Sequence, residues 1–269
     1  MPEKPVATLC IVNYKTLDFT RLCLRSIRRF TRIPCEVIVV DNNSADASTE
    51  YLRLLKWIRL IERRPEPGEQ GGIAHAAALQ EGLDRCRTEF FVSMHSDTFV
   101  QTDGWLSDLI GYFAGDPQVA CVGSGKLELI PRWRMWLKQA TDIRTFKRKL
   151  LRVPDPLSKH RYYNRTICCL YRTDVLKKEN LSFLMDRDKG VTAGKKLYFE
   201  LVDRGYATIE LPPSVMSRYV LHLAHATQVV NPQEFTVRSR TTRKCNRLVR
   251  KVMSSPAVQQ ILNDNRLDD

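Results

Sequence analysis

The sequence predicts an α/β fold: a mixed sheet flanked by helices, with a C-terminal helical and basic extension. Three observations predict it. Apolar runs of strand length alternate with helix-periodic segments through the first half of the chain. Those runs are nearly continuous in Val and Ile, as strands covered on both faces must be. Short polar clusters follow the runs, where the loops of such a sheet converge.

The elements follow in order. Val6 to Val12 reads as a buried strand, and Leu17 to Phe30 places Thr20, Cys23, Leu24, Ile27 and Phe30 on one helical face. Glu36 to Asp41 is a second apolar strand ending in an acid. Strand, helix and strand in so short a span make a βαβ unit. Trp57 to Ile61 reads as a third strand, Gly72 to Cys86 as an Ala-rich helix, and Glu89 to Met94 as a fourth strand. After Gly123 the pattern turns α+β: strands at Thr166 to Tyr171, Ala207 to Leu211 and Tyr219 to His225, and a helix from Ala193 to Arg204. From Asn231 the chain is polar and basic, a peripheral helix or a mobile tail. The expected division is residues 1–125 for one half of the sheet domain, 126–230 for the other, and 231–269 for the extension.

At 269 residues and 43% apolar, the chain is long enough for a sizeable core, and a disordered tail protein is excluded. No apolar run approaches the roughly 18 residues of a transmembrane helix, and the first residues lack the basic region and long apolar stretch of a secretory signal. The expectation is a soluble, cytoplasmic protein. Eight cysteines lie far apart, mostly inside apolar stretches, without a Cys-x-x-Cys pair. They read as buried thiols in a reducing compartment rather than zinc ligands.

The formal net charge is +13, and two segments own the excess. Arg132 to Arg152 holds eight basic residues and one acid; Arg238 to Lys251 holds seven and none. In the first, Trp133, Trp136, Leu137, Ala140, Ile143, Phe146 and Leu150 recur at helical spacing between the cations. That pattern describes an interfacial helix on an anionic membrane surface, or an ordinary core-packing helix with a solvated basic face. No nucleic-acid-binding motif accompanies it, so a nucleic-acid partner is not expected.

Three polar clusters fall at strand ends: Asn13-Tyr14-Lys15, Asp41-Asn42-Asn43-Ser44 and His95-Ser96-Asp97-Thr98. A carboxylate such as Asp41 can accept the N3–H of a pyrimidine while Asn43 and Ser44 reach a ribose; it can equally close an Asx turn. Asp97 can hold a divalent cation bridging two phosphates, or cap a turn.

Taken in order, Val12-Asn13-Tyr14, Val39-Val40-Asp41-Asn42-Asn43-Ser44, Gly71-Gly72 opening an Ala-rich helix, and Met94-His95-Ser96-Asp97-Thr98 closely resemble the GT-A (Rossmann-like) glycosyltransferases of inverting family 2, above all the rhamnosyltransferase-like branch. The resemblance covers about residues 5 to 115. It implies transfer of a sugar from a nucleoside diphosphate donor, UDP- or dTDP-linked, to a glycan or lipid-linked acceptor with inversion. By the same resemblance Asp41 binds the base, Asn13, Asn43 and Gly72 surround the nucleoside diphosphate, and Asp97 contacts a diphosphate-bound Mn²⁺ or Mg²⁺. His95 stands where the branch often has Asn and the wider family Asp. It can still ligate a metal or donate to phosphate.

Relatives commonly carry an acidic pair a dozen residues before a Gly-Tyr. Here Gly205-Tyr206 is preceded at that spacing by Thr192-Ala193-Gly194-Lys195-Lys196, with no acid. Asp188 or Asp186, slightly upstream, then supplies the base, or the protein is a non-catalytic nucleotide-binding or scaffold protein. Lys195 and Lys196 offer cations beside the diphosphate, or a solvent-facing helix start. In the family a late-strand histidine completes the metal set. His222 and His225 are three apart and point to opposite faces of an alternating strand, so only one serves, and His225 is preferred.

Overall fold

The structure is a computed structural model that describes residues 4–127, 137, 163–185, 191–224, 226–235 and 239–269, with backbone alone at 240, 241 and 244. Asp186, Asp188, His225 and the basic amphipathic segment of 132–152, Leu137 apart, lie outside the described residues.

The first half alternates as its pattern requires: β1 (Ala7–Asn13), α1 (Leu17–Phe30), β2 (Cys35–Asp41), α2 (Ala47–Leu54), β3 (Arg59–Glu62), α3 (Gly72–Arg85) and β4 (Phe90–His95). Then come β5 (Thr98–Val100), α4 (Trp105–Gly111), β6 (Val119–Ser124), β7 (Cys168–Arg172), α5 (Thr173–Lys178), α6 (Ala193–Asp203) and β8 (Ala207–Leu211). The chain closes with α7 (Pro213–Tyr219), β9 (Val220–His222), α8 (Ala226–Val230), α9 (Ser239–Met253), α10 (Pro256–Leu262) and a 3₁₀ turn at Asn265–Asp268.

Seven strands form one sheet in the order β3-β2-β1-β4-β7-β6-β8. β1 pairs in parallel with β2 and β4, β2 with β3, and β6 with β8; β7 runs antiparallel to both β4 and β6. The two-residue period of β1 divides the core. Leu9 and Ile11 face α1, while Cys10 and Val12 face α3 and α6 on the opposite side. Every residue of β1 is buried, and each fully buried aliphatic side chain stabilises by about 1.5–3 kcal/mol. All eight cysteines are free thiols, and seven are buried.

Two late expectations change. The strand foreseen at Tyr219 to His225 shrinks to Val220–His222, because Pro213 starts a helix that takes in Tyr219. The short β9 leaves the main sheet and pairs antiparallel with β5, setting His222 opposite Thr98. The C-terminal extension is helical and docked. Leu248, Val249, Val252 and Met253 pack against the core, Ile261 is buried, and the buried Arg25 of α1 donates to Asp268 and to the Leu262 carbonyl. No helix among the described residues is long and apolar enough to cross a membrane.

Candidate functional site

A cavity of about 750 Å³ opens beyond the carboxyl ends of β1, β2 and β4. From β1 the chain steps to β2 on one side and later returns to β4 on the other. At such a reversal the loops splay apart and leave a crevice. The volume falls within the range of small-molecule sites.

His95 ends β4 and Asp97 follows it, so both point out of the sheet toward the cavity. His222 arrives from β9. Its Nε2 lies 3.3 Å from Asp97 Oδ1, and His95 Nδ1 lies 3.8 Å from the same oxygen. One donor atom from each of the three residues falls within 4.8 Å of the others. The 3.3 and 3.8 Å contacts suit atoms sharing an ion at about 2.0–2.2 Å. Asp97 Oδ1 and His222 Nδ1 are buried without a hydrogen-bond partner among the described residues. A buried, undirected carboxylate oxygen is costly unless something else, such as a cation, completes it.

Burial raises the Asp97 carboxyl, but the facing His222 and His95 and the Ala226 backbone N–H more than offset it, so its pKa falls below the ordinary value. Burial drives His95 down to about 3, with His75 beside it pushing the same way. The His95 side chain keeps 31% exposure and lines the cavity. A carboxylate anion beside a neutral imidazole is the state both shifts describe, and it is the ligating state of each.

Asn13 and Asp41 sit beneath the cavity rather than on its wall. The Asn13 amide nitrogen donates to Asp41 Oδ1 at 2.6 Å, to Ser48 Oγ at 2.8 Å and to Ser44 Oγ at 3.1 Å. Its carbonyl accepts from Thr20 and Thr16. Asp41 is 1% exposed. Its Oδ1 also accepts from Ser44 Oγ at 2.5 Å, and its Oδ2 accepts from Ser44 N and Thr49 Oγ1 at 3.1 Å each. The carboxylate's four lone-pair positions are thus taken inside the protein. Asp41 braces the loop through these bonds, and the pyrimidine contact that the resemblance implies would take the place of one of them. Asn43, held at φ +58° in the left-handed region, does line the cavity with Asn42.

Gly72 lines the cavity where α3 opens, after Gly71 at φ +52°. On the far wall Thr192, Ala193 and Gly194 present the start of α6. A Cβ on Gly194 would come within 2.9 Å of the Asn164 carbonyl, so a side chain at that one position would force a shift. Lys195 and Lys196 do not line the cavity. Lys196 instead donates to the carbonyls of Ser182 and Leu184.

Arg165, His75, Glu234 and Phe235 line the cavity without having been foreseen from the sequence. The Arg165 Nε is buried without a hydrogen-bond partner among the described residues. His75 stands edge-on to His95, ring centres 4.8 Å apart. Tyr14 and Lys15 both donate to Glu234, and Phe235 meets the Tyr14 ring edge-on, closing the rim. Nothing local in the sequence marks these residues; the cysteine-rich strand β7 that follows Arg165 brings it to the site.

The pattern of glycosyl transferase family 2 matches residues 8–179. The chain belongs to that family. It is 30% identical over 105 residues to a Bacillus subtilis (strain 168) protein described as "Putative glycosyltransferase EpsH", a match covering 38% of this chain and 28% of that one. The chain therefore aligns with little more than a quarter of that relative's length. Among solved structures it is similar to the mannosyltransferase PcManGT from Pyrobaculum calidifontis, in complex with GDP-Man and Mn²⁺. The TM-score is 0.56 at 17% identity, covering 97% of this chain and 74% of that one. It is also similar to S. aureus TarS 1-349, with a TM-score of 0.52 at 14% identity, covering 95% and 69%; that protein is also known with UDP. These likenesses establish the GT-A fold of this family 2 member.

Proposed function

We propose that this family 2 protein transfers a sugar, with inversion, from a nucleoside diphosphate donor to a glycan or lipid-linked acceptor. The observation that carries the reading is the orphaned Asp97 Oδ1, flanked by His95 and His222, on the wall of a donor-sized cavity. In this reading His95, Asp97 and His222 hold a divalent cation, Mn²⁺ or Mg²⁺. When bound, it neutralises charge on the departing diphosphate. The Arg165 guanidinium supplies a second positive group for the same oxygens. Asn42, Asn43 and the backbone at Gly72 position the nucleoside, while the Asn13–Asp41 network keeps that loop in place.

The acceptor hydroxyl oxygen bonds to the anomeric carbon as the bond to the diphosphate oxygen breaks on the opposite face. The hydroxyl proton passes to a carboxylate, for which Asp188 and Asp186 are proposed. UDP- or dTDP-linked sugars are the proposed donors. The half from 126 to 230 would face the acceptor. α9 exposes Arg243, Arg247, Arg250 and Lys251; with the 132–152 segment they suit an anionic membrane surface at the cytoplasmic face.

A thermal-shift panel of UDP, dTDP, GDP and CMP with and without Mn²⁺ tests donor binding. Selective stabilisation by a pyrimidine diphosphate is expected, and indifference to all four overturns the reading. A second reading, non-catalytic nucleotide binding, is favoured by Thr192-Ala193-Gly194-Lys195-Lys196, which holds no acid where the resemblance places one. Donor turnover lost in Asp188→Asn and Asp186→Asn, with nucleotide binding kept, decides for the enzyme. Salt-sensitive flotation with anionic liposomes tests the membrane role.

A further inference from the structure

We infer that Lys196 is a positioning residue for the sugar end of the donor: standing off the cavity, its ammonium holds the segment 181–185 so that Met185 forms the wall against which the transferred sugar lies. The inference rests on the donor-binding reading for what Met185 faces, and not for how the segment is held.

Leu181 to Met185 lies in neither helix nor strand, so its backbone polar groups need partners from outside the regular ladders. Two helices supply them. Gln80 of α3 accepts at Oε1 from Phe183 N and from Ser182 Oγ, both at 2.9 Å. Lys196 of α6 donates to the Leu184 carbonyl at 2.8 Å and to the Ser182 carbonyl at 3.4 Å, and an ammonium, with three donors, serves both. Such charge-assisted bonds are the stronger kind. Glu200, one turn further along α6, lies 4.0 Å from the same ammonium and keeps it on that side. Phe183 anchors the segment by packing: it is wholly buried, its ring centre 5.4 Å from Phe91 and 5.5 Å from Tyr171. Beyond it Leu184 is 49% exposed, so the Lys196 bond to its carbonyl sets the direction in which Met185 leaves. Met185 lines the cavity beside Gly72, where a Cβ would lie 3.7 Å from its Sδ. Asn42 and Asn43 are assigned to the nucleoside, Asp97 and Arg165 to the diphosphate. Met185, with Thr192 and Gly194, lines wall to which neither has been assigned. An unbranched thioether adapts to the C–H face of a sugar ring. Lys196 falls in the stretch where the resemblance implies acids, so this tether belongs to this chain and not to the family pattern.

The test uses the full chain labelled with methyl-¹³C methionine, the Met185 signal being assigned with Met185→Leu. In the wild type, whichever of UDP-glucose, dTDP-glucose and GDP-mannose binds should shift the Met185 methyl beyond the shift its nucleoside diphosphate alone produces. Lys196→Ala should move that methyl to the position of a freely exposed methionine and leave the buried Met94 and Met216 signals in place. The same variant should weaken sugar-nucleotide binding about tenfold, with the affinity for the nucleoside diphosphate unchanged. Lys196→Arg, which keeps a cationic donor, should restore both. A Met185 methyl that stays put in Lys196→Ala, or equal losses for nucleotide and sugar nucleotide, overturns the inference. The wild-type comparison stands even if the alanine variant misfolds, and equal shifts from sugar nucleotide and nucleotide overturn the inference by themselves. Nucleotide binding together with an unmoved Met185 sinks this inference and leaves donor binding. Failure of the wild type to bind UDP, dTDP, GDP or their sugar conjugates sinks the donor-binding reading itself, and the sugar-end role with it.

Discussion

His222 Nε2 stands 3.3 Å from Asp97 Oδ1 because β5 and β9 pair antiparallel with His222 opposite Thr98. A three-residue strand thus delivers a histidine to an acid far away in sequence, and Oδ1 keeps no directed hydrogen bond among the described residues. The arrangement of this end of the cavity depends on that small ladder.

Asp97→Ala should abolish the Mn²⁺-dependent part of nucleotide stabilisation and lower donor turnover by about 100-fold or more, the scale of losing one electrostatic element at a reacting centre. Thermal shift with and without Mn²⁺, alongside donor hydrolysis, measures both. Retained Mn²⁺ dependence would remove Asp97 from the cation site.

Arg165→Ala should weaken nucleoside diphosphate binding by about 10- to 100-fold, the worth of a charge-assisted hydrogen bond of about 1.5–3 kcal/mol. Binding of the unphosphorylated nucleoside should stay unchanged, because the guanidinium is assigned to the diphosphate. Calorimetry with the two ligands side by side checks it; equal losses would place Arg165 at the base instead.

Asp41→Asn should act on stability first. The amide keeps one acceptor oxygen but turns the other position into a donor facing hydroxyl and N–H donors, at a cost of about 1–3 kcal/mol. Urea unfolding should show the loss. Asn43→Ala, at a cavity-facing position, should leave the midpoint nearly unmoved while reducing nucleotide affinity.

Asp268 gives the pH dependence. Burial raises its carboxyl, yet hydrogen bonds from Arg25 and Tyr51 more than offset this, so its folded pKa lies below the ordinary value. A group depressed on folding stabilises fully above its unfolded pKa of about 3.9, and that contribution fades as pH falls through this value toward the folded one. Asp268→Asn should therefore cost about 2 kcal/mol near pH 7. The gap to wild type should begin to narrow below about pH 5 and keep narrowing as pH falls past about 3.9 toward the folded value. Unfolding midpoints across that window test it, and a gap that persists at low pH would mean packing alone holds the C-terminus.

Much of the frame was legible before any coordinates. The ends of α1 and β8 coincide with their expected limits, and β1, β2, α3 and β4 shift by about a residue, because buried strands and amphipathic helices write their periods directly into the apolar pattern. Asp97 and His95 were legible as candidate cavity residues, since the loops after the carboxyl ends of such strands border the crevice. The choice between His222 and His225 was not. The register of β9 against β5, a long-range pairing with no local signature, sets His222 beside Asp97; His225 lies outside the described residues.

Asp41 makes the same point from the other side. Its position at a strand end was fixed by the chain pattern, yet the direction of its lone pairs was set by Asn13, Ser44 and Thr49, which surround it only after β1, β2 and α2 have packed. The sequence by itself determined the α/β frame, the polar strand ends and the unusual histidine at position 95. Only the tertiary structure decided that His222 meets Asp97, that Arg165 reaches the cavity, and that Asp41 turns inward. Periodicity encodes which face of an element is buried, whereas convergence of side chains from distant strands is set by pairing register and packing.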